Sequence, residues 1–193
     1  MSQALAAGVR FFQYRNKSGT RREIYEISLR LVQLARGTGA LFIVNDHADI
    51  ALAVDADGVH LGQDDLPIEY ARDLLGSGKL IGVSTHSPEQ AKAAEAGGAD
   101  YIGFGPIFRT PTKDAGPVQG IERIPVIKRA VAVPVFAIGG ITHANVDKVI
   151  SAGADGVAVI SAILSATDGK TAAAEMMRKI RNSKNQEPEF GRG

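Results

Sequence analysis

The chain alternates between short apolar runs and longer stretches in which apolar residues recur every three to four positions. The short runs are Val9 to Arg15, Leu41 to Asn45, Gly58 to Leu61, Leu80 to Ser84, Tyr101 to Gly105, Val133 to Ile138 and Gly156 to Ile160, seven in all. Their length suits strands. Interiors that are β-branched or apolar nearly throughout suit strands covered on both faces.

The intervening stretches read as helices with legible ends. Thr20-Arg-Arg-Glu23 spells a capping box, Ile24, Ile27, Leu31 and Leu34 mark one helical face, and Gly37 is a terminator. Ser87-Pro88-Glu89-Gln90 opens another helix, with proline at its first position and alanines behind it. Pro67 to Leu75, Gln119 to Ala130, Thr142 to Ser151 and Lys170 to Ile180 follow the same pattern, with a shorter stretch from His47 to Val54. Strand alternating with helix predicts a parallel sheet.

The junction from helix into strand repeats as Ala56-Asp57-Gly-Val, Ala99-Asp100-Tyr-Ile and Ala154-Asp155-Gly-Val, once every two strand–helix units. These aspartates fall at the amino ends of strands, the barrel face that carries stability, and are read as structural. Ligand-like polar residues, by contrast, follow nearly every strand. An open doubly wound sheet concentrates such residues at one crevice, so their spread predicts a (β/α)8 barrel. Residues 1–8 read as the end of a helix whose own strand is absent, so the barrel is expected to lack its first strand. One domain is expected over residues 1–181, followed by a polar tail, 182–193, expected to be disordered.

Composition narrows the partners. Lys and Arg number 22 against 21 Asp and Glu in 193 residues, so there is no overall field to hold nucleic acid or an anionic membrane, and any basic site must be local. Cysteine is absent, which excludes disulfides and thiolate chemistry and fits a reducing compartment. The start, MSQALAAG, lacks the pattern of an export signal, and no apolar run reaches the length of a membrane span. A cytoplasmic protein is the default expectation.

In a barrel the carboxyl ends of the strands meet on one face, and residues there fall into three groups. Asp46 and Asp65 end consecutive strands with Asn45 beside them, a pair of oxygen donors suited to Mg²⁺, which keeps waters and is completed by substrate phosphates. Ordinary loop acids are the alternative, and Asp64 fits that better. Arg15, Lys17 and Lys113 bring three cations to the same rim. Lys113 lies in the loop Pro106 to Gly116, read either as an anion clamp able to close or as a solvated loop. Cations facing a carboxylate-bound ion suggest a diphosphate made into a leaving group. Gly139-Gly140 and Ile160-Ser161 follow the last two strands, where backbone N–H groups commonly receive a phosphate. Among the histidines, His60 reads as a hydrogen-bonded interior residue and His143 as solvated. His47 lacks ligand spacing, and His86, at a strand end, is a candidate acid or base.

Taken in order, Gln13-Tyr-Arg15-Asn-Lys17, Val44-Asn45-Asp46, Asp57-Gly-Val-His-Leu-Gly-Gln-Asp-Asp65, Gly82-Val-Ser84-Thr-His86, Gly105-Pro-Ile-Phe-Arg-Thr110-Pro-Thr112-Lys113, Ala137-Ile-Gly-Gly140-Ile and Val159-Ile160-Ser161 resemble the thiamine-phosphate synthases. The resemblance implies a barrel enzyme, a transferase that joins 4-amino-2-methyl-5-hydroxymethylpyrimidine diphosphate to a thiazole phosphate and releases diphosphate. It implies Mg²⁺ on Asp46 and Asp65, and diphosphate on Arg15, Lys17, Asn45 and Lys113. It further implies pyrimidine contacts from Gln13 and Ser84, thiazole-phosphate contacts from Thr110 and Thr112, and backbone donors from Gly140, Ile160 and Ser161. Lys113, Arg15 and Ser84 are the residues expected to carry catalysis. The implied path is dissociative: diphosphate leaves, the aminopyrimidine stabilises a methylene cation, and the thiazole nitrogen captures it. The expected partners are the two substrates, with self-association left open and neither nucleic acid nor membrane. Asn16 departs from the family's usual glutamate. Two alternatives stand beside this reading. The related thiazole tautomerases use a histidine at the position of His86 but depart from the Asn-Asp and Gly-Gln-x-Asp patterns intact here. The other alternative is a truncated, non-catalytic phosphate-binding copy.

Overall fold

A computed structural model describes residues 1–110 and 116–185. Seven parallel strands form one sheet in chain order: β1 Phe11–Tyr14, β2 Leu41–Asn45, β3 Gly58–Leu61, β4 Leu80–Thr85, β5 Tyr101–Phe104, β6 Val135–Ile138 and β7 Gly156–Ala158. The helices are α1 Ser2–Ala6, α2 Arg21–Ala35, α3 Ala48–Ala53, α4 Ile68–Leu75, α5 Pro88–Ala96, α6 Ile124–Ala130, α7 Val146–Ser151, α8 Ser161–Leu164 and α9 Gly169–Asn185. This is a curled α/β barrel of seven strands, one fewer than the closed eight, with β1 and β7 at the ends of the sheet. The leading helix is there as expected and packs on α9, which runs five residues beyond the expected Ile180.

Each strand has two different faces. Phe42, Val44, Val59, Leu61, Ile81, Val83, Ile102, Phe104, Val135 and Ala137 point outward into one apolar core beneath the helices. Each Val, Leu, Ile or Phe side chain among them contributes roughly 1.5–3 kcal/mol through its burial. The alternate positions face the barrel axis, where Phe11, Tyr101 and Phe136, from β1, β5 and β6, meet with ring centroids 5.2–5.5 Å apart. Contact between β1 and β6 across the interior shows how far the sheet curls. Glycines on neighbouring strands make the space: a Cβ at Gly82 would fall on the Tyr101 ring, and one at Gly156 on Phe136.

The helix boundaries follow local chemistry. Thr20 and Glu23 make the reciprocal capping box, and Ser87 caps α5 with Pro88 behind it. The buried face of α2 is a correction, being Ile24, Ser28, Val32 and Ala35, while Ile27 and Leu34 are exposed. Ile24 and, in part, Leu31 of the expected face do pack against the core, and Ile27 and Leu34 turn outward.

The repeated aspartates behave as structural pins. Asp100 donates its N–H to the Ile81 carbonyl at 2.8 Å, and its carboxylate accepts from the Ile81 N–H and from Arg72, both at 2.7 Å. Asp155 does the same to Val135 with Lys128, and Asp57 grips Phe42 in the same way. Each satisfies an N–H at the start of the preceding strand that the ladder leaves unpaired. Asp100→Ala should therefore cost about 1–3 kcal/mol in urea unfolding, with turnover per folded molecule unchanged. A loss of turnover at wild-type stability would contradict the structural role.

Candidate active site

The loop after β1 is organised by Asn16, whose Oδ1 accepts from the Ser18 and Gly19 N–H groups at 3.1 and 2.9 Å, while its Nδ2 reaches the Tyr14 hydroxyl at 3.2 Å. A short carboxamide thus turns the chain between Arg15 and Lys17 and delivers it to the capping box of α2. Arg15 and Lys17 are exposed on the rim.

Asp46 lies just past β2 with φ 66°, in the left-handed region, and its N–H extends the ladder by donating to the His60 carbonyl at 2.8 Å. An aspartate tolerates that backbone at a cost of about 1–2 kcal/mol, and the conformation brings its carboxyl against Asn45 and Asp65. The Gly62 N–H holds Asp65 at 2.6 Å, closing the turn after β3, while Asp64 in the same turn is exposed. Burial first, then the Asp65 hydrogen bond and charge, push the Asp46 carboxyl up to about 6, with Arg15 and His47 opposing. Two carboxylates pressed together beside an arginine form a site that a hard cation would relieve. Among the described residues no group of three or more His, Cys, Asp or Glu side chains converges. Mg²⁺ fits the pair, since it needs only one or two carboxylates when substrate oxygens and water complete its shell.

Behind the acidic pair runs a buried polar chain. His60 lies between the Tyr101 hydroxyl, 3.1 Å from Nδ1, and Ser84 Oγ, 2.9 Å from Nε2. Burial chiefly pushes the His60 imidazole down to about 4 against the opposing pull of Asp65, so it is neutral near pH 7. Burial raises the Tyr101 hydroxyl above its ordinary range, and the Gln13 side chain opposes that shift. The Gln63 amide donates to the Ser84 carbonyl at 2.7 Å and fixes the end of β4. His86 Nδ1 lies 2.6 Å from the Gly105 carbonyl and donates to it. His143 is half-buried, with Nε2 2.8 Å from the Ala172 carbonyl, so it ties the start of α7 to α9 instead of being solvated.

Gly140, Ile160 and Ser161 stand on the other half of the rim, two or three residues beyond the paired Ile138 and Ala158 of β6 and β7. Gly139 and Gly140 have φ of 85° and 67°, and a Cβ on either would strike the segment Pro106–Arg109. Ile107 and Phe108 donate to the Ile138 and Gly139 carbonyls at 2.8 and 3.1 Å, so the chain leading to Thr110 is laid along the glycine turn. Ser161 opens α8, and Ile160 is exposed. Thr112 and Lys113 lie outside the described residues. Tyr101 was not a sequence candidate. Its one signal is Gly82, a strand glycine in register with both His60 and Tyr101.

Residues 1–163 match the family model described as thiamine monophosphate synthase. The thiamine-phosphate synthase of Chlorobium luteolum is 50% identical over 176 residues, 91% of this chain and 83% of the relative. That of Chloroflexus aurantiacus is 49% identical over 178 residues, 92% of this chain and 82% of the relative. The solved thiamine phosphate pyrophosphorylase from Pyrococcus furiosus superposes with a TM-score of 0.88 at 45% identity, covering 94% of this chain and 87% of that one.

Proposed function

The chain belongs to the thiamine monophosphate synthase family, and from that premise we propose that it joins 4-amino-2-methyl-5-hydroxymethylpyrimidine diphosphate to a thiazole phosphate, yielding thiamine phosphate and diphosphate. The observation that carries this reading is the meeting of Asp46 and Asp65 beside Arg15 on the rim. Asp46 and Asp65 would hold Mg²⁺, which when bound neutralises diphosphate oxygens and improves the leaving group. Arg15 and Lys17, with Lys113, neutralise the remaining charge, and Asn45 adds a hydrogen bond, as the C–O bond breaks and diphosphate departs with the electron pair. Gln13 and Ser84 orient the pyrimidine, and the thiazole nitrogen supplies the electron pair of the new C–N bond. Thr110 and Thr112 would contact the thiazole phosphate, which the backbone at Gly140, Ile160 and Ser161 would receive. No protein nucleophile is needed. Positioning and charge stabilisation supply the acceleration. The cysteine-free composition supports a cytoplasmic setting, and among the described residues no helix is long and apolar enough to cross a membrane.

The test is incubation of the purified protein with both substrates and Mg²⁺, with product separated by chromatography and diphosphate counted by a pyrophosphatase assay. Equal amounts of thiamine phosphate and diphosphate, abolished by a chelator, are expected. The reading fails if folded protein forms neither product. It also fails if the protein isomerises the thiazole without metal and loses that activity on His86→Ala but not on Asp65→Ala.

A further inference from the structure

We propose that Tyr101 and His60 are positioning residues: the chain Tyr101–His60–Ser84 is polarised in one direction, so that the Ser84 hydroxyl proton is left for an acceptor on the bound pyrimidine diphosphate. The inference rests on the synthase reading for the identity of that ligand. Its geometry stands on the hydrogen bonds alone.

Each member of the chain has a limited supply of protons. The buried Tyr101 hydroxyl has one proton to pass on, and the hydrogen-bond partner the structure gives it is His60. That proton goes to His60 Nδ1, 3.1 Å away. A neutral imidazole that accepts at Nδ1 carries its own proton on Nε2, and it donates that proton to Ser84 Oγ at 2.9 Å. Ser84 then accepts from within and can donate only outward, toward the rim where its strand ends. The reverse polarity would present a serine lone pair, which could meet only the 4-amino group of the ligand and none of its diphosphate oxygens or ring nitrogens, all of them acceptors.

The scaffold holds each atom of this chain in place. The Tyr101 ring sits in the space left by Gly82, between Phe11 and Phe136. The His60 ring lies 5.5 Å from that of Tyr101, over Gly103, where a Cβ would come within 3.3 Å of the imidazole. The Ser84 carbonyl is fixed by Gln63 at 2.7 Å. Rotation of the serine hydroxyl is the remaining freedom, and the histidine proton restricts it to directions away from the ring.

Two measurements test the proposal. In protein labelled with ¹⁵N-histidine, the nitrogen shifts of His60 should report the Nε2–H tautomer. The Nδ1–H tautomer would overturn the proposal, whether or not the protein is active. In kinetics, Tyr101→Phe should reduce kcat/KM for the pyrimidine diphosphate by about tenfold, the scale of one hydrogen bond, and leave KM for the thiazole phosphate unchanged. In a Ser84→Ala background the same substitution should cost less than about twofold, because its effect passes through Ser84. Equal penalties in the two backgrounds would overturn it. Absence of synthase turnover in the wild-type protein would count against the functional reading, and the tautomer would still decide the polarity.

Discussion

Asp65→Asn is expected to lower synthase turnover by at least about a thousandfold and to remove stabilisation by Mg²⁺ in thermal unfolding. Asparagine keeps an oxygen that can accept from the Gly62 N–H, now 2.6 Å from Asp65, so the turn after β3 survives and the loss falls on the cation site. The pH dependence of the ion-free protein gives a second readout. Asp46 has its pKa raised from 3.8 to about 6 by burial and by Asp65, so in this window the folded chain binds more protons than the unfolded one. Stability associated with the protonated carboxyl is present below pH ~4 and is lost as pH rises through about 6. Removing the Asp65 charge relieves part of that loss. The ion-free variant should then be more stable than wild type at pH 8, by at most about 1 kcal/mol once solvent screening is counted, with no difference near pH 4. Millimolar Mg²⁺ should reverse the order at pH 8 by stabilising the wild-type protein alone. Retained turnover in the variant would remove the acidic pair from the mechanism.

The parts legible in the sequence are those that depend on neighbours along the chain. Thr20 with Glu23, and Ser87 with Pro88, announce helix starts because capping is local. Asp57, Asp100 and Asp155 could be read as structural because each stands at a helix-to-strand junction of one spelling. Asp46 and Asp65 could be paired because successive parallel strands put successive ends side by side. What was not legible depends on contacts across the barrel. The buried face of α2 includes Ser28 and Ala35 while Ile27 and Leu34 stay exposed, since the way the helix lies on the sheet selects the face, and periodicity counts only apolar mass. Tyr101 reads as one more apolar strand residue until the curl of the sheet brings Phe11 of β1 against its ring. His60 could be placed indoors, but its partners could not be named, because they come from β4 and β5.

That same interior makes Gly82→Ala the substitution with the largest expected effect on stability. Gly82 stands between His60 and Tyr101 in the register of three hydrogen-bonded strands, and its missing side chain is the space the Tyr101 ring occupies. Strands about 4.8 Å apart cannot separate to admit a methyl group, so the ring must leave its packing between Phe11 and Phe136. Overpacking of this kind costs about 1–3 kcal/mol, and here the displaced ring also breaks its hydrogen bond to His60, placing the total at about 3 kcal/mol or more. For a chain of this size that is a fall of roughly 6–12 °C in unfolding temperature, and the surviving folded fraction should turn over poorly because His60 loses the partner that orders it toward Ser84. Gly78→Ala is the control: a Cβ there meets nothing within 4 Å, and the change should stay within about 0.5 kcal/mol. An unaltered unfolding temperature for Gly82→Ala would show that the barrel interior can yield. Adding Tyr101→Phe should not rescue it, because the ring carbon bearing the hydroxyl already occupies the place the methyl group would take.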